Sequence, residues 1–150
     1  MPSGTQPNKT VLIIEDDCLL RGAMKMLLEW EGYRVECAVN GEEGLDRLRG
    51  KALPSVILLD LKMPGLDGWQ FMKERRRDPA LATIPVIVVS ALAEVKNSWT
   101  AEHIQKPFQP PELLEAVRRH VWAGENPCSA TNNCAQWQNV GRMVYFVSAG

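Results

Sequence analysis

The stretch "VLIIEDD", Val11 to Asp17, decides how the rest of the chain is read. Four branched apolar residues run without a break into three acids. A run with no polar alternation reads as a strand covered on both faces, the pattern of a parallel sheet. The acids then stand at the carboxyl end of that strand. Like charges this close repel, and burial makes ionisation costlier still. The arrangement asks for a cation.

Working outward, Leu20, Ala23, Met24, Leu27 and Leu28 recur at helical spacing, and Gly32 ends that helix. Tyr33–Ala38 reads as a second strand. Gly41–Arg49 reads as a second helix, with Leu45 and Leu48 inward. "SVILLD" (55–60) is a third buried run. "MPGLDG" (63–68) is a loop in which Gly65 and Gly68 serve turns and Asp67 caps a helix through Arg77 that buries Phe71 and Met72. "IPVIVVS" (84–90) is a fourth strand and "EHIQ" (102–105) a weak fifth. "PPELLEAVRRHVW" (110–122) is a last helix, with Pro at its start and Leu114, Val117 and Val121 on one face. Asp17 reads as the cap of the first helix, and "KERRRD" (73–78) as a solvated helix end that complements the dipole. Strands alternate with helices throughout, so the fold class is α/β with an open parallel sheet.

Composition sets limits on function. With 150 residues, 45% hydrophobic and 23% charged, the chain fits one globular domain that needs no disulfide staple. A net charge of −1 gives no hint of a nucleic-acid or membrane-surface role. Cys18, Cys37, Cys128 and Cys134 match no zinc spacing and are expected to be reduced. No apolar run approaches the ~18 residues of a membrane span, and "MPSGTQPNKT" (1–10) carries no apolar leader core. The expectation is a cytoplasmic protein with no membrane contact and no direct nucleic-acid partner. Residues 1–8 are expected to be flexible, 9–123 to fold, and 124–150 to form a polar, turn-rich tail that is not a separate effector domain. That tail includes a β-prone run, "MVYFVSAG" (143–150).

Ligands of open parallel sheets sit beyond the carboxyl ends of the strands. That rule gathers Glu15 and Asp16 after the first strand, Asp60 at the end of the third, Ser90 at the end of the fourth and Lys106 after the fifth. Oxygen ligands without His or Cys favour a hard cation. A few carboxylates, with room for water and phosphate oxygens, suit Mg²⁺ better than a calcium cage. A carboxylate beside Mg²⁺ and an ammonium can act as a nucleophile toward phosphorus, with Ser90 donating to a phosphoryl oxygen.

"VLIIEDD", "VILLDLKMPGLDG" (56–68), "VIVVSA" (86–91) and "KPF" (106–108) occur in that order, with 44 residues from Asp16 to Asp60 (60−16) and 30 from Asp60 to Ser90 (90−60). On these motifs residues 9 to about 123 resemble a response-regulator receiver domain of two-component signalling, CheY-like in type. The resemblance implies a flavodoxin-like (βα)5 doubly wound sheet of strand order 2-1-3-4-5. It implies that Asp60 accepts a phosphoryl group from a histidine kinase or histidine phosphotransfer protein. Asp16 would ligate Mg²⁺ directly, Glu15 mostly through water, and the backbone carbonyl of Lys62 would be a further ligand. Ser90 and Lys106 would bind the phosphoryl oxygens, and Lys106–Pro107 would be cis. His103 stands where the family has Tyr or Phe as a switch. It reads either as a side chain that swings with Ser90 or as a half-buried His satisfied by a neighbour.

One segment departs from the family pattern. Between Ser90 and the fifth strand only "ALAEVKNSWTA" (91–101) is available, near the minimum for a crossover. A shortened, distorted or partly unwound fourth helix is expected. The sequence thus reads as a single-domain response regulator whose switched surface meets an unidentified downstream protein. It would assist its own phosphorylation and dephosphorylation without being an enzyme on an external substrate. Two rivals stay open. One is a phosphorylation-independent interaction module on the same fold. The other is an Asp-nucleophile phosphatase of the haloacid dehalogenase type, which wants an acid where Lys62 stands.

Overall fold

The computed structural model describes residues 9–50, 52–95 and 97–121, together with the backbone of 137–140 and 143–146. Five strands form one sheet: β1 (Thr10–Ile14), β2 (Arg34–Ala38), β3 (Val56–Leu59), β4 (Val86–Ser90) and β5 (Glu102–Gln105). All pairings are parallel and the order is β2-β1-β3-β4-β5. The helices are α1 (Cys18–Trp30), α2 (Gly41–Leu48), α3 (Gly68–Arg75), α4 (Pro79–Ala82) and α5 (Pro110–Val121). The flavodoxin-like α/β fold and its strand order therefore stand as expected.

Alternation along each strand splits the core in two. Val11, Ile13, Leu58, Ile87 and Val89 meet Met24 and Leu28 of α1 and Leu113, Ala116 and Val117 of α5. On the opposite face Leu12, Ile14, Ile57, Leu59 and Val88 meet Leu48 of α2 and Phe71 and Met72 of α3. Each fully buried side chain of this kind contributes about 1.5–3 kcal/mol. Because both faces are consumed by packing, the polar residues that close each strand can appear only at the sheet's ends. The helix starts hold that geometry. Asp17 accepts from the N–H groups of Leu19 and Leu20 at 2.9 and 3.2 Å, Asn40 from Glu43 at 2.8 Å and Asp67 from Gln70 at 2.9 Å. Gly32, at φ 97°, ends α1 in the left-handed conformation that glycine adopts without a steric cost.

Four details differ from the sequence reading. Ala23 is exposed rather than inward. On α5 Leu113 is fully buried, whereas Leu114 only packs at the core's edge. The third helix stops at Arg75, and Asp78 with Pro79 starts α4, an N-cap followed by Pro at the first helical position. Arg75 itself is not part of a solvated basic end. It is 2% exposed, and its Nη1 donates to the carbonyls of Leu81 at 2.7 Å and Ile84 at 2.9 Å, tying α3 to α4 and to the approach of β4.

The described residues of 91–101 contain no helix, only a turn in which the Thr100 N–H donates to Asn97 at 3.2 Å, so the expected shortening is marked. The segment is held by other means. The Arg76 guanidinium lies 4.3 Å from the Trp99 ring centroid, and the Ala101 N–H donates to Val86 at 2.8 Å. In the C-terminal segment β6 (Trp137–Val140) and β7 (Met143–Phe146) pair antiparallel as a separate two-stranded sheet. The expectations for residues 1–8, for the rest of 124–150, and for Cys128 and Cys134 lie outside the described residues. Cys18 and Cys37 are free thiols. Among the described residues no helix is long and apolar enough to cross a membrane.

Candidate functional site

Parallel pairing extends one residue past each strand end and so fixes the acids. The Glu15 N–H donates to Ala38 at 3.1 Å, and the Asp60 N–H donates to Ile14 at 3.0 Å. Glu15 and Asp60 are thereby locked beside each other, 1% and 6% exposed, while Asp16 reaches solvent. Carboxylate oxygens of the three lie within 4.8 Å of one another. Lys106 arrives from beyond β5, its N–H donating to the Ser90 carbonyl at 2.8 Å. Its Nζ donates to Glu15 Oε2 at 2.8 Å and stands 3.7 Å from Asp60 Oδ2. The Lys106–Pro107 bond is cis.

Two backbone donors complete the cluster. The Asp17 N–H donates to Glu15 Oε1 at 3.2 Å and the Lys62 N–H to Asp60 Oδ1 at 3.2 Å. The Lys62 side chain is exposed. Ser90 is buried, and its Oγ accepts from the Leu92 N–H at 3.2 Å, so the hydroxyl proton remains available to another acceptor. His103 pairs in register with Val88 on the edge strand. Among the described residues its buried Nε2 has no hydrogen-bond partner.

The electrostatics show what the cluster lacks. Three carboxylates face one ammonium. Burial pushes the Glu15 carboxyl up to about 7, the Lys106 hydrogen bond opposes that rise, and the nearby Asp60 charge adds to it. Asp60 is likewise raised by burial, against the pull of Lys106. Buried acids held above their ordinary range are short of positive charge. The donor set is oxygen throughout, which fits a hard divalent cation such as Mg²⁺.

Two positioning residues escaped the sequence reading. A Cβ on Gly68 would stand 2.5 Å from the Asp60 carbonyl oxygen and 2.7 Å from Leu61 Cα, so only glycine lets α3 start this close to Asp60. Its role is close approach rather than a turn. Arg21 donates from Nη1 to the carbonyls of Glu15 at 2.8 Å and Asp16 at 3.3 Å, strapping the acidic loop to α1. Its position, one turn after the Asp17 cap, was the available signal.

Residues 11–118 match the family described as "Response regulator receiver domain". Among curated relatives, the "DNA-binding dual master transcriptional regulator RpaA" of Synechocystis sp. is 35% identical over 114 residues, 72% of this chain and 47% of that protein. Among solved structures, the Vibrio cholerae chemotaxis protein CheY4 is 28% identical with a TM-score of 0.67, covering 75% of this chain and 98% of that one. The receiver domain of Francisella response regulator 1452 is 30% identical with a TM-score of 0.69, covering 78% and 99%. The chain spans about half the length of the curated relatives it matches, so a single-domain organisation does not follow from it. The expected exclusion of a direct nucleic-acid partner is also overturned, because a relative this similar is named as DNA-binding. A near-neutral net charge over these 150 residues carries no information about what a longer protein containing them would contact.

Proposed function

The chain belongs to the response-regulator receiver family, and on that premise we propose that it is a phospho-acceptor switch in which Asp60 takes a phosphoryl group from a histidine kinase or histidine phosphotransfer protein. The observation that carries the reading is the Asp60 carboxylate, nearly buried, with Lys106 Nζ 3.7 Å away and the Glu15 and Asp16 oxygens beside it. Receiver domains are signalling proteins rather than enzymes on external substrates, and the reaction concerns this chain's own side chain. An Asp60 oxygen forms a bond to phosphorus as the donor imidazole's P–N bond breaks. The electron pair stays on that nitrogen, which takes up a proton. Lys106 offsets charge on the phosphoryl oxygens, and Ser90 turns its hydroxyl proton toward one of them. Mg²⁺, held by Glu15, Asp16, Asp60 and the Lys62 backbone carbonyl, would supply the remaining positive charge. Movement of Ser90 pulls on the 91–101 segment and on His103, whose Nε2 carries no hydrogen bond that would oppose the movement. The same residues assist hydrolysis of the acyl phosphate.

The protein would act in the cytoplasm. Its output partner is unidentified, and the relatives' names support counting nucleic acid among the candidates. A phosphatase of the haloacid dehalogenase type is disfavoured because Lys62, not an acid, stands two residues after Asp60. The lack of helix among the described residues of 91–101 favours one second reading, a phosphorylation-independent interaction module on the same fold that does not switch. Beryllofluoride with Mg²⁺ separates the two: a switch moves the backbone amide resonances of 90–106 and alters Trp99 fluorescence. Binding that leaves both unchanged supports the static module.

A further inference from the structure

β5 closes one side of the five-stranded sheet, where the order β2-β1-β3-β4-β5 pairs it with β4 alone. Its last bond fixes which backbone groups that pairing uses. The Lys106 N–H donates to Ser90, and Ser90 stands level with Gln105. The N–H groups that face β4 are therefore those of alternate residues, Glu102, Ile104 and Lys106. The N–H and C=O groups of His103 and Gln105 face the open edge. An edge of this kind is a template for another strand. A groove of about 580 Å³ runs between residues 102–107 and Glu112, Glu115 and Arg119 of α5. Consecutive residues, from both faces of β5, line that groove, so it follows the edge of the strand rather than a face of the sheet.

We propose that this edge takes β7 of the chain's own C-terminal hairpin, extending the sheet in the order β4-β5-β7-β6. Among the described residues β6 and β7 pair only with each other. Two strands alone are marginal in water, and a third strand is what gives such a pair independent stability. β5 offers that strand at matching length, since β5, β6 and β7 have four residues each. The path of the chain suits the pairing. α5 comes back to the start of β5, where Glu102 accepts from Arg119 Nε at 3.4 Å and lies 2.8 Å from His120 Nε2. Fifteen residues separate Val121 from Trp137 (137−121−1), a reach of up to about 50 Å. β6 can thus start at that end and run in the direction of β5. β7 then returns antiparallel to β5, the pairing that is more stable per residue. "MVYF" (143–146) is the better partner than "WQNV" (137–140), because Val, Tyr and Phe favour strands and Asn does not. The other open edge, β2, lies four strands away, about 19 Å across the sheet. Docked in this way, the Val140–Met143 end of the hairpin lies at the Lys106 end of β5, on the rim that carries Asp60. The inference goes beyond the phospho-acceptor reading and does not depend on it.

Hydrogen exchange of the full chain, read amide by amide by NMR, tests it. The His103 and Gln105 amides of the wild type are expected to exchange at least about tenfold more slowly than in Val144→Pro or Tyr145→Pro, which each take an N–H out of β7. Amides of β1 and β3 should exchange alike in all three proteins. Nuclear Overhauser contacts between β5 and β7 should appear in the wild type. Equal exchange of the two edge amides in the wild type and both variants, or a wild type without β5–β7 contacts, would overturn the proposal. So would contacts from β7 to β2. Contacts between β5 and β7 seen only between isotope-labelled and unlabelled chains would overturn it too, assigning the edge to the hairpin of a second copy. Should a proline variant also lose protection in β1 and β3, the wild-type contacts decide.

Discussion

The most informative perturbation of this site is a change of pH between 6 and 8 with Mg²⁺ titrated at each step. The Glu15 carboxyl sits at about 7 through burial, with the Lys106 hydrogen bond opposing the rise and the Asp60 charge adding to it. A cation needs it ionised. The ionised fraction is about 0.1 at pH 6 and about 0.9 at pH 8, so Mg²⁺ affinity should rise about tenfold across that interval. Near pH 7 each ion bound should release about half a proton. The sign for the metal-free protein runs the other way. The folded value lies above the ordinary 4.5, so between those limits the folded state keeps a proton the unfolded chain has lost. Stability therefore falls as pH rises through this window. Titration calorimetry in buffers of different ionisation enthalpy reads both affinity and proton release. Glu15→Gln should flatten the profile. An affinity that is level from pH 6 to 8 in the wild type would refute the electrostatic reasoning.

Other consequences follow from the supporting residues. Arg75→Ala strips two charge-assisted hydrogen bonds, one from the buried Ile84 carbonyl and one from the half-buried Leu81 carbonyl, and should cost about 2–4 kcal/mol in urea unfolding; a loss below about 1 kcal/mol would mean that α4 finds other partners. Gly68→Ala should destabilise by about 1–3 kcal/mol and slow acetyl phosphate labelling, since the added carbon meets the Asp60 backbone. Burial works to raise the Glu102 carboxyl, but hydrogen bonds from Arg119 and His120 override it and hold the group below its ordinary value. Its stabilising contribution is present above about pH 4.5 and disappears as pH falls through the lowered value. Thermal melts of the wild type should show that acid loss, and Glu102→Gln should lack it.

The parts legible in the sequence are those set by one strand or helix at a time. Continuous apolar runs announced β1, β3 and β4 because a parallel sheet covers both faces, and the same burial left Glu15, Asp60 and Ser90 nowhere to stand but the rim. What escaped depends on tertiary approach. Arg75 looked solvated within a basic run, since nothing local shows that carbonyls of α4 and the β4 approach wait beside it. Gly68 looked like a turn residue because the obstacle is the backbone at Asp60, eight residues earlier (68−60). Ala23 fits either face of a helix by size and polarity alone, and only the packed structure turned it outward. The lack of helix among the described residues of 91–101 was visible as a shortage of residues, whereas the Arg76–Trp99 contact that anchors the segment was not.

The account rests on Asp60 carrying phosphate. Incubating the full chain with acetyl phosphate and Mg²⁺, and measuring intact mass, tests this most directly. The wild type should gain the mass of one phosphoryl group in a form cleaved by hydroxylamine, and Asp60→Asn should gain none. An unchanged wild-type mass, or equal gain in both proteins, would contradict the account.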